Sequence, residues 1–244
     1  MTDIDILLEF LCIDLAASDG VFERFSDIPD AIVRGSGMDK FLYVRGSRPD
    51  RVLLVAHADT CWDNSYGQNH NAPKELSIDN GIIRNLNGGL GADDRAGCAI
   101  LWLLKDLGHS ILITNGEEGG LVGSRWLRNE NPDIFDEINS THQFAVQFDR
   151  RNSSDYKCYS VGTAAFRDYI GKMTGYSEPD RKSSTDIVIL SDRIAGVNLS
   201  IGYRKEHTEM EHLVMDDWQH TLDICRSWLS ENDLPRFPLT DDKS

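Results

Sequence analysis

The segment that decides the fold is Asn87-Gly-Gly-Leu-Gly-Ala-Asp93-Asp94-Arg-Ala-Gly97, which places two adjacent carboxylates after a glycine-rich stretch. Its glycines allow positive φ angles and a close approach of the backbone to another group. The apolar run at 96–104 predicts a helix that is buried on nearly every side, so both aspartates fall at its start. An aspartate at this position can also serve only as a helix cap. The interpretation therefore depends on whether the rest of the chain supplies partners for Asp93.

Charge and composition restrict the possible partners. The 244 residues carry a formal net charge of −15, with a pI near 4.8. Nucleic acids and anionic membrane surfaces select basic proteins, so neither is an expected partner. No apolar run approaches the length of a membrane span. The first nine residues are acidic where a secretion signal is basic, which predicts a cytoplasmic protein.

The cysteines support the same compartment. They are odd in number, far apart and never spaced as Cys-x-x-Cys: Cys12, Cys61, Cys98, Cys158 and Cys225. This pattern excludes a thiolate zinc site of the usual spacing and argues against a disulfide framework. We therefore expect a reduced, intracellular protein.

Buried strands alternate with helices along the chain. Strands are predicted at 41–44, 51–60, 110–114, 143–151 and 197–203, helices at 3–16, 93–107, 123–128, 164–174, 187–193 and 213–231, and a hairpin at 76–86. Residues 17–37 are predicted as helix and turn, and 131–142 as a connection in which a helical turn can form at 133–138. The alternation predicts an α/β three-layer sandwich whose mixed, mostly parallel sheet is flanked by helices. We expect one domain over 1–244 with a frayed tail at 231–244.

Four of the predicted strands end in side chains of one chemical kind. These are His57 with Asp59, Glu117 with Glu118, Asp149, and His207. Carboxyl ends of parallel strands line one crevice of an open sheet, so these side chains are expected to converge on Asp93. Histidines and carboxylates without thiolate are the donors preferred by divalent zinc, cobalt or manganese.

The local spacing divides the roles among these residues. His57 and Asp59 are two apart and face the same side of a strand, so Asp59 can accept one imidazole N–H while the other nitrogen binds a metal. Glu117 and Glu118 are adjacent, and their side chains diverge. One is expected to be a metal ligand and the other a general base.

In this order, the motifs resemble the co-catalytic zinc exopeptidases: aminopeptidases, tripeptidase T, glutamate carboxypeptidases and acetylornithine-type deacylases. The resemblance covers about residues 50–212 and rests on Ala-His57-Ala-Asp59-Thr, Leu-Gly-Ala-Asp93-Asp94-Arg-Ala-Gly and Thr-Asn-Gly-Glu117-Glu118-Gly-Gly-Leu-Val-Gly-Ser. Ser184-Thr185-Asp186 and Gly-Tyr-Arg-x-x-His207-Thr-x-x-Glu are looser matches in the expected places.

The resemblance implies two divalent metal ions, zinc or else cobalt or manganese, bridged by Asp93. One ion would be completed by Glu118 and His207, and the other by His57 and Asp149. It further implies that Glu117 is the general base, that Asp59 orients His57, and that Asp94 shapes the turn through a cis Asp93–Asp94 peptide. The implied substrate is a small peptide or amino-acid amide, and relatives often form homo-oligomers.

One departure from many relatives is the short interval between Asp149 and His207, fewer than 60 residues. It leaves no room for the separate lid or dimerisation domain that they insert there. His70 and His212, the latter expected at the start of the last helix, are rivals of His207 for the last metal position. The alternative functions are deacylation of an N-acyl amino acid or another amide, and a non-catalytic module of the same fold.

Substrate contacts are less constrained by the sequence. Arg150, Arg151 and Arg204 are candidates because they lie next to presumed ligands, and Thr185 and Asp186 are candidates because their motif lies where the resemblance expects it. An arginine there can hold a substrate carboxylate, or it can form a structural ion pair in so acidic a chain. The sequence does not decide whether Trp62 lines a specificity pocket or only packs.

Overall fold

The computed structural model describes residues 1–62, 73–179 and 184–239. The strands are β1 (Ile32–Ser36), β2 (Asp39–Val44), β3 (Leu53–His57), β4 (Leu76–Asp79), β5 (Ile82–Asn85), β6 (Ser110–Thr114), β7 (Ala145–Arg150), β8 (Tyr156–Lys157), β9 (Gly196–Ser200), β10 (Tyr203–Arg204) and β11 (His212–Val214). The helices are α1 (Asp3–Leu11), α2 (Ser18–Ser26), α3 (Ala92–Leu104), α4 (Val122–Glu130), α5 (Pro132–Thr141), α6 (Ala164–Thr174), α7 (Asp186–Leu190) and α8 (Met215–Leu229).

The larger sheet has seven strands in the order β1-β2-β6-β3-β7-β9-β8. Its four central strands, β6, β3, β7 and β9, are parallel, and the outer strands pair antiparallel. The carboxyl ends of the parallel strands therefore meet at one edge. This is where the predicted site residues follow their strands.

Both faces of this sheet are covered, which explains the continuous apolar runs of its central strands. In β3, Leu54 and Ala56 enter the core beneath α1, α2, α3, α6 and α8, whereas Leu53 and Val55 enter the core beneath α4, α5 and α7. The predicted three-layer α/β sandwich with a mixed sheet is confirmed. No helix of the described ranges is long and apolar enough to span a lipid bilayer.

A second, four-stranded antiparallel sheet has the order β10-β11-β5-β4. The predicted hairpin at 76–86 forms its β4–β5 arm, and Asn80 and Gly81 take the positive φ angles that such a tight turn needs. The predicted start of the last helix is wrong, because 212–214 form β11 and α8 begins at Met215. The loop between β10 and β11 carries His207.

Three further expectations are corrected. Residues 32–36, expected to be part of a helix-and-turn segment, form the edge strand β1. This strand is largely exposed, so its sequence does not alternate between apolar and polar residues as a half-buried strand does. Residues 132–141 form helix α5, with Pro132 at its first turn. The tail does not fray at 231: Leu234 is only 3% exposed, and the Phe237 ring packs against Phe144 and Phe166. Residues 240–244 lie outside the described ranges.

Candidate active site

The loop that introduces α3 is shaped by Asp94, which is fully buried. Its Oδ2 accepts the backbone N–H of His57 at 3.1 Å, and its Oδ1 accepts that of Gly97 at 3.1 Å. A Cβ at Gly97 would lie 2.2 Å from Asp94 Oδ1 and from the Phe148 oxygen, so only glycine fits. The Asp93–Asp94 peptide bond is cis, as the resemblance implied. Asp94 thus joins the loop to the end of β3.

Glu211 holds the same loop from the opposite side. Its carboxylate accepts the N–H of Gly91 at 2.6 Å and that of Asp93 at 3.0 Å, and its side chain is almost completely buried. Burial raises the pKa of Glu211 to about 7. Glu211 is the last residue of the motif around His207, and its sequence position alone did not reveal this contact.

The two oxygens of Asp93 face two separate groups of potential ligands. Asp93 Oδ1 lies 3.2 Å from His57 Nε2, which is itself 3.5 Å from Asp149 Oδ1. Asp93 Oδ2 lies 3.1 Å from His207 Nε2, which is 2.9 Å from Glu118 Oε1. One carboxylate therefore contacts both groups, and the groups contain the five residues that the sequence nominated as metal ligands.

Asp59 connects His57 to the Glu117–Glu118 turn. Its Oδ1 accepts the backbone N–H of Glu117 at 3.1 Å, and its Oδ2 accepts that of Glu118 at 3.2 Å. His57 Nδ1 donates to the Asp59 backbone oxygen at 3.0 Å and lies 3.4 Å from Oδ1. The His57 N–H therefore bonds the backbone oxygen of Asp59 and not, as expected, its carboxylate, which instead accepts the backbone N–H groups of both glutamates.

Asp149 is oriented by three side-chain donors. Its Oδ2 accepts from Thr185 Oγ1 at 2.7 Å and from Gln147 Nε2 at 3.1 Å, and its Oδ1 accepts from the Tyr203 hydroxyl at 3.3 Å. Oδ1 is also the oxygen nearer to His57. Thr185, nominated as a substrate contact, thus also positions a presumed ligand.

The electrostatics of the site favour a bound cation. Burial raises the pKa of Glu117, Glu118 and Asp149, and neighbouring carboxylates raise it further. Asp93 is buried as well, but its close contacts with the two histidines outweigh that burial and lower its pKa. The neighbouring carboxylates of Asp93 and Glu118 raise the pKa of His207 to about 11. So many carboxylates in one buried cluster require compensating positive charge.

The orphaned polar atoms of the cluster point to the same conclusion. His57 Nε2, Asp93 Oδ1 and Glu118 Oε1 are buried, and none has a hydrogen-bond partner of acceptable geometry among the described residues. Each nevertheless lies within 3.5 Å of another ligand atom. Atoms that crowd together without bonding one another are suited to share an ion, because a cation replaces the missing hydrogen bonds. The donor set therefore fits divalent metal ions.

A cavity of about 260 Å³ opens onto this cluster. Its walls combine the acidic residues with aromatic and neutral polar groups: Asp93, Glu117, Glu118, Asp149, Arg150, Arg151, Tyr159, Ser184, Thr185, Asn198, Tyr203, Glu206 and His207. The Glu117 side chain reaches this cavity from a different turn than the ligands on β3 and β7. A small polar substrate can therefore contact Glu117 and Asp93 together.

The nominated arginines form ion pairs. Arg150 lines the cavity and bonds Asp155, while Arg151 bonds Glu206. Arg204 is outside the cavity wall and pairs with Asp217 at 2.7 Å. The structural alternative thus accounts for all three, because an acidic chain offers carboxylates close to each arginine.

The other nominated residues also have defined positions. Asp186 is fully buried behind the cavity wall, where it accepts a hydrogen bond from Thr114, so it is not placed to touch a substrate. His212 lies on β11, and its Nδ1 donates to the Met210 oxygen, away from the ligand cluster. His70 lies outside the described residues.

The fold of this chain, a three-layer sandwich with a mixed sheet, is shared with solved structures of peptidases. No family model matches the sequence, and no curated protein matches it. Solved structures do match. Aminopeptidase PepT from Bacillus cereus superposes with a TM-score of 0.65 at 14% identity, over 93% of this chain and 97% of that one. A tripeptidase from Staphylococcus aureus gives 0.65 at 13%, over 94% and 98% of the two chains.

The TET1 peptidase from Pyrococcus horikoshii gives a TM-score of 0.65 at 15% identity, over 93% of this chain and 98% of that one. That protein can assemble into a tetrahedron or a large octahedral shell. These similarities establish the shared fold, and the resemblance inferred from the motifs is confirmed at that level. Function has to be argued from the site itself.

Proposed function

We propose that the chain is a metal-dependent hydrolase of amide bonds, and specifically an exopeptidase that acts as an aminopeptidase or a di- or tripeptidase. The observation that carries this proposal is the position of Asp93, whose two oxygens face two distinct groups of histidine and carboxylate ligands. A bridging carboxylate of this kind is what a two-metal hydrolytic site requires. Glu117, which belongs to neither group, lies in the same cavity.

The chain's own residues would hold the two ions in distinct shells. His57 and Asp149 would bind the first, Glu118 and His207 the second, and Asp93 both. These nitrogen and oxygen donors suit zinc, and also cobalt or manganese. Once bound, such ions would polarise the scissile carbonyl and lower the pKa of water.

Glu117 supplies the proton transfer in this proposal. Its carboxylate takes a proton from the attacking water and hands it to the leaving amine, so that the amide is hydrolysed to a carboxylate and an amine. Asp59 positions Glu117 through the backbone N–H of that residue. Because the same Asp59 carboxylate binds the N–H of Glu118, the base and one ligand are fixed relative to each other.

Replacement of Glu117 by glutamine tests this assignment. Glu117→Gln keeps the size of the side chain and removes the base, so turnover of aminoacyl and dipeptide substrates should fall by about 10²–10⁴-fold. Metal content, measured by elemental analysis, should stay at two ions. Glu130→Gln, an exposed glutamate on α4, is the matched control and should keep full activity.

Three outcomes would contradict the proposal. Full activity of Glu117→Gln would overturn the role of Glu117 as base. Turnover of N-acyl amino acids but not of free peptides would identify a deacylase instead. A purified chain that neither contains nor acquires a divalent ion would indicate a non-catalytic module.

We also propose a cytoplasmic location and a homo-oligomeric assembly. The five cysteines are free thiols, which is usual for a protein kept in a reducing compartment. The assembly proposal is supported by the structurally similar TET1 peptidase, which forms large shells. Size-exclusion chromatography with light scattering tests it, and a monomeric mass at micromolar concentration would contradict it.

A further inference from the structure

Cys61 lies beside the second group of ligands, Glu118 and His207. Its Sγ and the ligand atoms of Glu118 and His207 all lie within 4.8 Å of one another. The residue is half-buried and follows the end of β3 by four positions. It therefore stands where a ligand of the second metal ion would stand.

The backbone around Cys61 is held in place from two directions. The Thr60 hydroxyl donates to the Leu15 oxygen at 2.9 Å and accepts the N–H of Trp62 at 3.2 Å. The Trp62 indole packs over Gly89, where a Cβ would approach its Nε1 to 2.5 Å. The thiol is thus presented to the cluster by an anchored segment, and Trp62 has a packing role.

The distances fit coordination after a small rotation of the side chain. In a tetrahedral site with Zn–S near 2.3 Å and Zn–N or Zn–O near 2.0–2.1 Å, sulfur lies roughly 3.5 Å from the other ligand atoms. Because Sγ lies within 4.8 Å of the Glu118 and His207 ligand atoms, a small movement of the side chain satisfies that spacing. A metal ion deprotonates the thiol that it binds, so the thiolate need not exist beforehand.

On the basis of the proposed metal centre, we propose that Cys61 is a thiolate ligand of the ion held by Asp93, Glu118 and His207. The two metal positions then differ in chemistry. The His57 position has only nitrogen and oxygen donors, whereas the His207 position gains a soft sulfur donor. Soft donors select zinc and cobalt over manganese and magnesium, so the second position is the more selective one.

The number and spacing of the cysteines in the sequence do not reveal this site. Thiolate zinc sites are recognised by paired cysteines, and Cys61 has no such pair. Its partners come from the Glu118 turn and the His207 loop, which are 57 and 146 positions further along the chain. Only the fold brings a single cysteine to a histidine–carboxylate cluster.

Cobalt spectroscopy tests the assignment without depending on activity. The purified chain is stripped with a chelator and titrated with Co²⁺ to two equivalents. The visible d–d absorption reports occupancy of the centre, and a near-ultraviolet sulfur-to-cobalt charge-transfer band reports a thiolate ligand. We expect wild type to show both, Cys61→Ser to lose only the near-ultraviolet band, and Cys12→Ser, at an exposed cysteine, to keep both.

A competition between zinc and manganese provides a second measurement. Cys61→Ser should reduce the preference of one of the two positions for zinc by about tenfold or more, the size of effect known even for groups that only support a ligand. Cys61→Ala serves if the serine variant unfolds at a lower temperature than wild type.

The two proposals fail in different ways. Two bound cobalt ions with no sulfur band in wild type would overturn Cys61 ligation and leave the metal centre intact. Failure of wild type to bind cobalt or zinc at all would overturn the metal centre, and the role of Cys61 with it. An unchanged sulfur band in Cys61→Ser would also refute the assignment.

Discussion

The substitution Asp59→Asn separates the two tasks of a single carboxylate. Asp59 is almost completely buried, and each of its oxygens accepts one backbone N–H, from Glu117 at 3.1 Å and from Glu118 at 3.2 Å. An asparagine retains one oxygen and places an NH₂ group where the other stood. In either orientation of the amide, the NH₂ group faces the backbone N–H of Glu117 or of Glu118, and two donors cannot bond each other. The side chain keeps its volume, so packing is not the variable.

The magnitude follows from the lost hydrogen bond. A hydrogen bond to a charged group contributes about 1.5–3 kcal/mol, and the N–H that loses it stays buried without a partner. At about 1.4 kcal/mol per factor of ten, this corresponds to roughly a 10- to 150-fold effect. Both bonds hold the turn that carries the presumed ligand Glu118, so the loss of either one should weaken metal binding. His57 is oriented mainly by the Asp59 backbone oxygen and should be affected less.

Metal affinity of Asp59→Asn is measured by competition with a chromophoric chelator, alongside thermal unfolding of the metal-free form. Asp106→Asn, at an exposed residue after α3, is the control and should match wild type. Wild-type metal affinity and turnover in Asp59→Asn would refute the argument that this carboxylate fixes the turn. A lower unfolding temperature of the metal-free form, without a change in metal affinity, would assign Asp59 a purely structural role.

The remaining predictions concern four other positions. Asp93→Ala should lose both metal ions in elemental analysis, and one retained ion would contradict the bridging role of Asp93. Asp94→Ala should keep both ions. It should lower the free energy of unfolding by roughly 2–6 kcal/mol, since two buried N–H groups lose their acceptor. Glu211→Gln should leave the N–H of Gly91 or of Asp93 unpaired and weaken metal binding by about 10–100-fold in a chelator titration, and unchanged affinity would contradict this. Burial lowers the pKa of His142 from 6.5 to about 4. As the pH falls, the imidazole is therefore protonated in the unfolded chain at a higher pH than in the folded chain. Up to about 3 kcal/mol of stability should be lost between pH 6.5 and pH 4. The free energy of unfolding, measured with denaturant across that pH range, should depend less on pH in His142→Gln than in wild type. The same pH dependence in both proteins would contradict the role of His142.

The sheet and the convergence of the nominated side chains were predictable because both follow from short-range patterns. A run of apolar residues buried on both faces identifies strands such as β3 and β6, and the rule that strand ends converge places His57 near Glu118. The β4–β5 hairpin was predictable from its Asp79-Asn80-Gly81 turn, whose geometry few other residues can adopt.

The role of Glu211 could not be predicted in this way. Its partners are backbone N–H groups of Gly91 and Asp93, which lie 120 and 118 positions earlier and have no residue signature. Helix α5 is longer than the single helical turn predicted at 133–138, and the proline at its first turn is the local signal for where it begins. The sequence predicted the last helix to begin too early and so included two residues of β11. A three-residue strand is too short to show an alternating pattern of its own.

Substrate contacts were the least predictable part of the site. An arginine that adjoins a ligand in sequence finds a carboxylate of its own in so acidic a chain, as Arg204 does with Asp217. The position of Asp186 depends on which side of α7 faces the core, and a five-residue helix gives little pattern from which to judge it. Such contacts depend on the packed structure rather than on adjacency.

The long sequence separations within the cluster have a consequence for synthesis of the chain. His57 and Asp93 are synthesised more than 100 residues before His207 and Glu211, which complete the second group of ligands and the loop. A growing chain on the ribosome therefore lacks the complete ligand cluster until His207 and Glu211 have emerged. Metal ions that bind only the folded form would then stabilise it by mass action, so their supply after folding would set how far the protein resists unfolding.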